Sequence, residues 1–582
     1  MWLRALEAIS GVNQQSTATF GAILNDLAVT YGGRPALIDS AGTMSYRDLS
    51  TRANRYARWA QAEGLAPGAV VGLLMPNCAE YVAAWAGLSQ VGCVVALINT
   101  NLTHHSLAHA ITIADCRAVI VESSLYGAFA AADIKGVACW IFGASAGGDW
   151  PRIDQALAHY NGSQSSFKDS TRPAGNDRAL LIYTSGTTGL PKAVNVSHAR
   201  MLQWAYWFAG LMETGPDDRL YNCLPMYHST GGVSSIGALL VRGGSVVIRP
   251  RFSSQRFWDD VVDTGCTIFQ YIGEVCRYLL SAPPHPLETR HRLRLCCGNG
   301  LREEVWQAFK ERFKIPKILE FYAATEGVIS LYNCEGKPGA IGRIPGFLAH
   351  RFPLALVKCD HETAELTRND ASFCVPCNTG EIGEALGQLN PESWSPARRF
   401  EGYTNPETSE RKLARDVFRP GDLWYRTGDL MRRDADGFFY FVDRLGDAFR
   451  WKGENVAASE VASVIAVCPG IVDAVVYGVQ VQGCEGRAGM AAIAVDGDFS
   501  LSALWRHIHE KLPPYARPVF VRVCGEIDVT GTFKLSAGRL AKEGYRLASE
   551  SGRVLFDHRV QQAYVACNAE LLTQIEDGTI QL

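Results

Sequence analysis

One loop of the chain combines residue types that suit a phosphate group. Its members carry hydroxyls or lack a side chain: Ser185, Gly186, Thr187, Thr188 and Gly189. Glycine lets main-chain N–H groups turn towards a ligand because no Cβ intervenes, and consecutive N–H groups form a concavity that suits an anion. Thr184 precedes the loop, and Lys192 follows it with a positive charge. Ala193 stands where a Walker loop requires Ser or Thr, so a hairpin turn without a ligand remains an alternative on composition alone.

Two further polar loops follow predicted strands downstream. Gly298, Asn299 and Gly300 end an apolar run that begins near Leu295. The segment Ala323-Ala-Thr-Glu-Gly327 follows the run Ile318-Leu-Glu-Phe-Tyr322. Ligands of parallel sheets bind beyond the carboxyl ends of the strands. Three polar loops at such ends therefore support one ligand site better than any of them does alone.

The elements that must position these loops alternate between helix and strand. Residues 70–75 form a continuous apolar run of the kind that buried parallel strands show, and a helical segment follows through Gln90. This alternation predicts an α/β fold with a large N-terminal domain of parallel-type sheets with helices plus a small β-barrel-like part, over residues 1–445. From residue 446 to residue 582 the pattern predicts a small mobile α+β C-terminal domain.

Length and charge narrow the functional classes. The 582 residues are more than one hydrophobic core can use, so two or more domains are expected. The net charge is −3 and no basic block occurs, so the chain lacks the positively charged surface that nucleic-acid binding requires. Pro76, Asn77, Glu80 and Gln90 interrupt the most apolar region, so no membrane-spanning helix is expected. We expect a cytoplasmic protein, and leave open a homodimer and a peripheral contact with the inner face of a membrane.

The 17 cysteines are scattered and favour a reducing compartment over a disulfide framework. Cys359, His361, Cys374 and Cys377 include a CxxC spacing and have the residue types of zinc ligands. A polar hairpin without metal is the other interpretation of the same segment. Both remain open at this stage.

Four motifs occur in order and together resemble a known family. They are Tyr183-Thr-Ser-Gly-Thr-Thr-Gly-Leu-Pro-Lys192, Tyr322-Ala-Ala-Thr-Glu-Gly327, Tyr425-Arg-Thr-Gly-Asp429 and Thr530-Gly-Thr-Phe-Lys534. The chain resembles the adenylate-forming superfamily of acyl-CoA synthetases, luciferases and peptide-synthetase adenylation domains over residues 17–545. The segments at 443–456 and 527–534 resemble the fatty acid transport protein, or very-long-chain acyl-CoA synthetase, branch.

This resemblance implies ATP, Mg²⁺ and coenzyme A as cofactors and assigns a role to each matching residue. It implies catalytic roles for Lys534, Thr187 and Glu326, with Glu326 also holding the metal. It implies nucleotide binding by Thr184, Ser185, Gly186, Thr188, Gly189, Lys192, Gly298, Asn299, Gly300, Tyr322, Ala323, Thr325, Asp429 and Arg444. Within that set the Ser185 loop holds the β- and γ-phosphates, Tyr322 stacks on adenine and Asp429 binds the ribose. Ala323, Ala324 and Val328 depart from the family's usual residues at the pocket rim.

The resemblance also implies a second reaction step, in which coenzyme A reacts, and this step needs another set of residues. By resemblance the C-terminal domain swings about a hinge at Gly446, Gly453 lets the pantetheine pass close to the main chain, and His228 lines its tunnel. Each assignment has a structural alternative: a buried histidine for His228, a turn carboxylate for Asp429, a surface lysine for Lys534 and a core aromatic for Tyr322.

The function that the resemblance implies is that of an ATP-dependent fatty acyl-CoA synthetase. A long- or very-long-chain fatty acid is the favoured partner. The alternatives are a steroid- or bile-acid-type CoA ligase, a ligase that loads a carrier protein, and a largely non-catalytic fatty-acid uptake or binding protein.

Overall fold

A computed structural model describes most of the chain. The described residues are 1–12, 18–144, 150–164, 172–185, 190–360, 363–390, 399–452, 454–482, 484, 486–528, 537–545, 552–577, 579–580 and 582. The chain divides into two compact units, Met1–Phe352 with Gln388–Leu413, and Pro353–Gly387 with Ala414–Leu582. The predicted domain boundary at Gly446 falls inside the second unit, and a separate domain beginning there stays a prediction.

The first unit alternates strands and helices along its sequence. Its described strands are β1 (Pro35–Asp39), β2 (Gly42–Ser45), β3 (Val70–Leu74), β4 (Val94–Leu97), β5 (Cys116–Glu122), β6 (Ala138–Phe142), β7 (Arg178–Ser185), β8 (Pro191–Ser197), β9 (Arg219–Asn222), β10 (Ser245–Ile248), β11 (Ile268–Ile272), β12 (Leu295–Asn299), β13 (Ile318–Ala323), β14 (Ser330–Asn333) and β15 (Gly342–Arg343). Its described helices are α1 (Trp2–Ala8), α2 (Phe20–Tyr31), α3 (Tyr46–Ala62), α4 (Ala79–Gln90), α5 (His104–Ile113), α6 (Tyr126–Ala131), α7 (Ile153–Ala158), α8 (His198–Met212), α9 (Ser235–Leu240), α10 (Phe257–Asp263), α11 (Gly273–Ser281), α12 (Glu303–Arg312) and α13 (Pro406–Glu410).

These strands form two mainly parallel sheets. One has the order β14-β13-β12-β11-β9-β10-β1-β2, and the other has the order β6-β5-β3-β4-β7-β8. Antiparallel pairs occur at β1–β2, β13–β14 and β7–β8. Strand β3 is buried along its whole length, as its uninterrupted apolar sequence predicts. The carboxyl ends of β12 and β13, which pair in parallel, bring two of the predicted polar loops to the same edge of one sheet.

Helices of the first unit begin where the sequence supplies a cap. Ser45 and Asp48 form a reciprocal capping box at the start of α3, and the helix then buries Ala53, Tyr56 and Ala57. Ser197 caps α8 by accepting a hydrogen bond from the Arg200 N–H at 3.2 Å. Helix α8 is buried on most sides, and this aromatic segment therefore contributes to the core.

The second unit combines short antiparallel strands with a small α+β sheet. Its described strands are β16 (Leu354–Val357), β17 (Ile382–Gln388), β18 (Leu413–Arg415, at the boundary), β19 (Leu423–Arg433), β20 (Phe438–Arg444), β21 (Phe449–Trp451), β22 (Glu454–Val456), β23 (Ile471–Val479), β24 (Ala488–Val495), β25 (Phe520–Cys524), β26 (Arg553–His558) and β27 (Ala563–Ala566). Its described helices are α14 (Ala458–Ala466), α15 (Leu501–Lys511), α16 (Gly538–Glu543) and α17 (Ala569–Glu576). Strands β16, β17, β19 and β20 are adjacent in that order and form the predicted barrel-like part, and β23 to β27 form a separate five-stranded sheet.

The predicted fold class, α/β with parallel-type sheets and an α+β C-terminal part, is confirmed. The Asp434-Ala-Asp-Gly437 segment forms a hairpin turn between β19 and β20, where the Asp434 N–H donates to the Phe438 carbonyl at 2.9 Å. Among the described residues, no helix has both the length and the apolar character that crossing a membrane requires.

Candidate functional site

The predicted phosphate loop connects β7 to β8. Thr184 pairs with Lys192 across this hairpin, and Ser185 pairs with Pro191. Gly186, Thr187, Thr188 and Gly189 lie outside the described residues. The described strands therefore fix the two ends of the loop, and Lys192 lies at its base as expected.

Lys192 lies in a positively charged environment. Burial lowers the pKa of its amine, and the nearby charges of Lys412 and Arg411 lower it further, while Glu326 opposes the shift. The like charges repel one another, so an anion placed beside Lys192 would be favoured. A cavity of about 170 Å³ opens here, lined by Lys192, Pro191, Tyr403, Asn405 and Thr408 among others. A cavity of this volume can hold a small ligand.

The glycines of the second loop let main-chain segments approach closely. A Cβ on Gly298 would overlap the carbonyl and ring of Tyr271, and a Cβ on Gly273 would overlap the Gly300 carbonyl. Gly300 also has φ of +79°, which glycine adopts without strain. Asn299 ends β12 opposite Ile272. The sequence therefore leaves this turn without side chains at Gly298 and Gly300, and its main chain can face a flat ligand.

A buried carboxyl supports this turn from β13. Glu320 is 2% exposed, accepts the Leu301 N–H at 3.1 Å and accepts the Tyr271 hydroxyl at 2.5 Å. Burial raises its pKa to about 8, although both hydrogen bonds act in the other direction. Glu320 therefore fixes the end of the glycine turn while carrying a proton over much of the acidic and neutral range.

The third loop holds Glu326 by both its side chain and its main chain. The Tyr403 hydroxyl donates to Glu326 Oε1, and the Arg200 guanidinium donates to the Glu326 carbonyl. Gly327 follows with φ of +74°, and a Cβ there would overlap the Arg200 guanidinium. Thr325 Oγ1 lies 3.5 Å from Ser229 Oγ, in the turn that follows His228. The predicted metal ligand is thus a buried carboxylate, 8% exposed as a residue, in a fixed turn.

Tyr322, Ala323 and His228 are accessible to a ligand. Tyr322 is partly exposed and Ala323 is exposed at the end of β13, so Tyr322 is not a core aromatic. His228 is also partly exposed, with its ring centroid 4.6 Å from that of Tyr227. The alternative of an ordinary buried histidine is therefore wrong for His228. His228, Thr325, Glu326 and Tyr322 all lie in the first unit.

In the second unit, Asp429 and Arg444 face each other across β19 and β20. Arg444 Nε lies 3.6 Å from Asp429 Oδ1, and the two residues are register partners. The Asp429 N–H donates to Thr427 Oγ1 at 3.0 Å. That bond uses the main chain of Asp429. Its side chain remains paired with a half-exposed arginine.

Glu384 supports the turn before Asp429. This residue is fully buried, accepts the Gly428 N–H at 3.0 Å and forms an ion pair with Arg426 at 2.5 Å. Thr427 Oγ1 donates to the neighbouring Ala385 carbonyl at 2.8 Å. Residues of β17 therefore hold the Thr-Gly-Asp turn through these hydrogen bonds. Glu320 holds the glycine turn of the first unit in the same way.

Gly446 lies in an exposed turn between β20 and β21 with φ of +99°. A Cβ there would meet no atom within 4 Å, so the conformation and not the space favours glycine. Asp443, three residues earlier, accepts the N–H groups of Arg444 and Ser459 at 2.9 and 3.2 Å, and burial raises its pKa to about 6. The predicted hinge thus follows a fixed strand end. Gly453 and Lys534 lie outside the described residues.

The cysteines of the proposed zinc site lie in the second unit. Cys359 and Cys374 lie in short antiparallel bridges, and burial raises the pKa of Cys359 to about 12 and that of Cys377 to about 11. His361 lies outside the described residues, and the described part of the chain contains no group of three metal-type ligands. A zinc site at these cysteines stays a hypothesis.

Sequence reasoning missed Tyr403, Arg200, Glu320 and Glu384. The sequence does contain a signal for three of them. A single charged residue inside an apolar run is rarely buried without a partner, so such a residue indicates a specific contact. Glu320 interrupts β13, Glu384 interrupts β17, and Arg200 lies in the first turn of the largely apolar α8. Tyr403 carries no such signal, since its contact with Glu326 joins positions 77 residues apart.

Two family models match successive parts of the chain. The family model described as "AMP-binding enzyme" matches residues 24–366, and that described as "AMP-binding enzyme C-terminal domain" matches residues 460–534. Long-chain fatty acid transport protein 1 of Bos taurus is 39% identical over 578 residues, covering 98% of this chain and 89% of the relative. Medium/long-chain-fatty-acid–CoA ligase FadD6 of Mycobacterium tuberculosis is 37% identical over 542 residues, covering 91% and 86%.

A solved structure shares the fold. The crystal structure of the anthranilate CoA ligase AuaEII in complex with anthranoyl-AMP has a TM-score of 0.76 and covers 90% of this chain and 97% of that chain. Its sequence identity is 21%, so the likeness concerns the fold alone.

Proposed function

Because the chain belongs to the family of AMP-binding enzymes, we propose that it is an ATP-dependent fatty acyl-CoA synthetase. A long- or very-long-chain fatty acid is the proposed acid, and ATP and coenzyme A are the co-substrates. Relatives named as a fatty acid transport protein and a fatty-acid–CoA ligase match nearly the whole chain at 39% and 37% identity, and this similarity supports the choice of acid. The reaction is that of an AMP-forming acid–thiol ligase.

The proposed reaction has two displacements. A carboxylate oxygen of the fatty acid attacks the α-phosphorus of ATP, and the bond to the leaving pyrophosphate breaks. The thiolate of coenzyme A then attacks the acyl carbonyl carbon, and AMP leaves. The first step brings an anion onto a polyanion, so the protein must supply positive charge where negative charge develops.

One observation carries the proposal: two neighbouring residues join the two loops, since Tyr403 donates to Glu326 Oε1 and the Thr404 N–H donates to the carbonyl of Ala193, next to Lys192. An amine supported by Lys412 and Arg411 suits phosphate oxygens, and a buried carboxylate beside it suits the cation that accompanies ATP. The two side chains therefore offer complementary charges to one metal–triphosphate group.

Magnesium fits the donor set at Glu326. The carboxylate is a hard oxygen ligand, and within the part of the chain that the structure describes only its Oε1 receives a hydrogen bond, from Tyr403. Glu326 is the residue proposed to hold Mg²⁺, with Thr325 beside it for the α-phosphate. When bound, the ion would neutralise charge on the phosphate oxygens.

The remaining roles follow the same proposal. Tyr322 and Ala323 would face the adenine beside Gly298, Asn299 and Gly300. Asp429 would accept hydrogen bonds from the ribose hydroxyls, with Arg444 assisting. The loop of residues 184–189 would cradle the β- and γ-phosphates, with Thr187 contributing to catalysis.

The C-terminal residues would serve both displacements. Lys534 would donate to the reacting carboxylate during adenylation. Rotation at Gly446 would then bring Gly453 and the pantetheine thiol to the adenylate, along a path lined by His228. A C-terminal domain beginning at Gly446 is part of this proposal.

Pyrophosphate release across fatty acids of increasing chain length, with and without coenzyme A, tests the proposed function. We expect release with long-chain acids and acyl-CoA formation without any carrier protein. Release with steroid acids in preference to fatty acids, or transfer only to a carrier protein, would assign another ligase activity. Absence of AMP with all substrates present would favour an uptake or binding protein.

Three features remain predictions from the sequence. They are a cytoplasmic location, a peripheral contact with the inner face of a membrane, and a homodimer. Fractionation of cells and sedimentation of the purified chain would test them.

A further inference from the structure

Residues 399–404, named here the brace segment, pack along the strand that carries Lys192. The Asn195 N–H donates to the Gly402 carbonyl at 3.0 Å, and the Thr404 N–H donates to the Ala193 carbonyl at 2.9 Å. Tyr403 lies opposite Val194 in an antiparallel bridge. The brace segment thus extends the sheet beyond β8, immediately after the base of the phosphate loop.

Glu401 ties the brace segment to the start of α8. Its two carboxylate oxygens accept the Ser197 N–H and the Ser197 hydroxyl, each at 2.7 Å. The same carboxylate lies 3.2 Å from Arg200 Nε. A carboxylate at a helix N-terminus is stabilised by the unpaired N–H groups and by the helix dipole, so this end of the segment is firmly held.

Arg200 carries the connection to the metal loop. It is 1% exposed, donates to the Arg399 carbonyl at 2.6 Å and donates to the Glu326 carbonyl. A buried guanidinium needs such partners because desolvation of an unpaired charge is costly. Gly327 is required at its position, since any Cβ would displace this guanidinium. Arg200 therefore fixes the main chain of Glu326 relative to the brace segment.

Tyr403 completes the connection at the side chain. It is 7% exposed, and its hydroxyl donates to Glu326 Oε1. A hydrogen bond to a charged group is among the stronger ones, and it selects one rotamer of a flexible glutamate. The brace segment consequently holds both the main chain and the carboxylate of Glu326, while it also pairs with the strand of Lys192.

We propose that Tyr403 is a positioning residue that orients the Glu326 carboxylate for the divalent cation bound with ATP. The proposal rests on the proposed function, in which Glu326 holds that cation. Through the brace segment, the spacing between this cation and Lys192 is set by one continuous piece of chain. Loss of the Tyr403 hydroxyl would leave the carboxylate to reorganise before it can bind the ion.

The experiment compares cation binding by the full chain and three variants. Tyr403→Phe removes one hydroxyl, and Glu326→Gln removes the carboxylate charge. Tyr46→Phe is the matched control, because Tyr46 is buried in the same unit and donates to the Leu240 and Gly244 carbonyls at 3.0 and 2.7 Å. Mn²⁺ affinity is measured by electron paramagnetic resonance in the presence of α,β-methylene-ATP, and the Tm of each variant is recorded.

We expect Tyr403→Phe to weaken Mn²⁺ binding about tenfold, the usual effect of removing one donor from a charged acceptor. Tyr46→Phe should bind Mn²⁺ as the unmodified chain does, with a similar loss of Tm. Glu326→Gln should bind Mn²⁺ more weakly than Tyr403→Phe. In steady-state assays, the half-saturating Mg²⁺ concentration of Tyr403→Phe should rise about tenfold while KM for the fatty acid changes less than twofold.

Two failures are distinguishable. If Glu326→Gln weakened Mn²⁺ binding and Tyr403→Phe did not, the positioning role would be wrong and the metal site would stand. If the unmodified chain bound no Mn²⁺ with the nucleotide, or Glu326→Gln left its affinity unchanged, the metal assignment itself would fail. A Tyr403→Phe chain that did not fold would also overturn the proposal, because the hydroxyl would then serve the fold and not the cation.

Discussion

Replacing Glu320 by glutamine tests how the glycine turn of the first unit is supported. Glutamine has nearly the shape of a protonated glutamate, can accept the Leu301 N–H and can donate to the Tyr271 hydroxyl. The substitution therefore removes the ionisation of Glu320, keeps the Leu301 hydrogen bond and keeps the Tyr271 contact with the direction of its hydrogen bond reversed. The consequence for stability should depend on pH.

The sign follows from the direction of the shift. Burial raises the pKa of Glu320 from 4.5 to about 8, so the folded chain holds this proton more tightly than the unfolded chain does. The associated stability is fully present below pH 4.5 and is lost as the pH rises to about 8. A pKa difference of one unit corresponds to about 1.36 kcal/mol. The free energy of unfolding therefore falls by less than about 1 kcal/mol at pH 5, by about 3 kcal/mol at pH 7 and by about 5 kcal/mol above pH 8.

The assay is urea unfolding at pH 5, 7 and 9, followed by tryptophan fluorescence, to which Trp85 and Trp306 in the first unit contribute. Glu320→Gln should resemble the unmodified chain at pH 5 and exceed its free energy of unfolding by up to about 5 kcal/mol at pH 9. Glu335→Gln is the control, because Glu335 is an exposed carboxylate paired with Arg343 at 2.5 Å.

Two results would contradict this expectation for Glu320. A difference between Glu320→Gln and the unmodified chain that stayed constant from pH 5 to pH 9 would mean that Glu320 does not titrate in this range. A variant less stable at every pH would mean that the carboxylate form itself is needed under the turn.

Three further predictions concern the catalytic steps. Lys534→Ala should reduce ATP–pyrophosphate exchange at least about 100-fold and keep thioester formation from pre-formed acyl-AMP; unimpaired exchange would remove the assignment. Gly446→Pro should slow thioester formation more than adenylation, because proline cannot adopt the observed φ of +99°, and equal slowing in single-turnover assays would argue against a hinge. Glu384→Gln should raise KM for ATP about tenfold, since it weakens the buried support of the Gly428 N–H and of Arg426, and an equal rise in KM for the fatty acid would contradict that role.

The fold followed from the sequence because its strongest signals are local. The apolar run of β3, the cap at Ser45 and the Asp434 turn each specify their own element within a few residues. Polar loops at strand ends then indicated where a ligand would bind, and β12 and β13 do end side by side. The division of the chain into units was harder, since Pro353–Gly387 and Gln388–Leu413 are adjacent in sequence yet belong to different units.

The support of the site could not be predicted in the same way. Tyr403 reaches Glu326 only because the brace segment pairs with β8, about 200 residues earlier in the chain, and nothing in the local pattern around Tyr403 encodes that pairing. Motif matching assigned functional roles to Glu326, Lys192 and Asp429. It contained no information on what holds them.

A common principle connects the residues that were missed. Tight turns at strand ends leave main-chain groups without partners in the sheet, and such groups are costly when buried. Glu320 satisfies the Leu301 N–H, Glu384 satisfies the Gly428 N–H, and Arg200 satisfies the Glu326 carbonyl. At these three described turns, a buried ionisable side chain that interrupts an apolar element therefore holds the main chain. Replacing Glu384 or Arg200 by a neutral residue should disturb the turn before it disturbs the core, so nucleotide and cation binding should report on these two changes more sharply than Tm does. Glu320→Gln, which has nearly the shape of the protonated glutamate, should leave its turn in place.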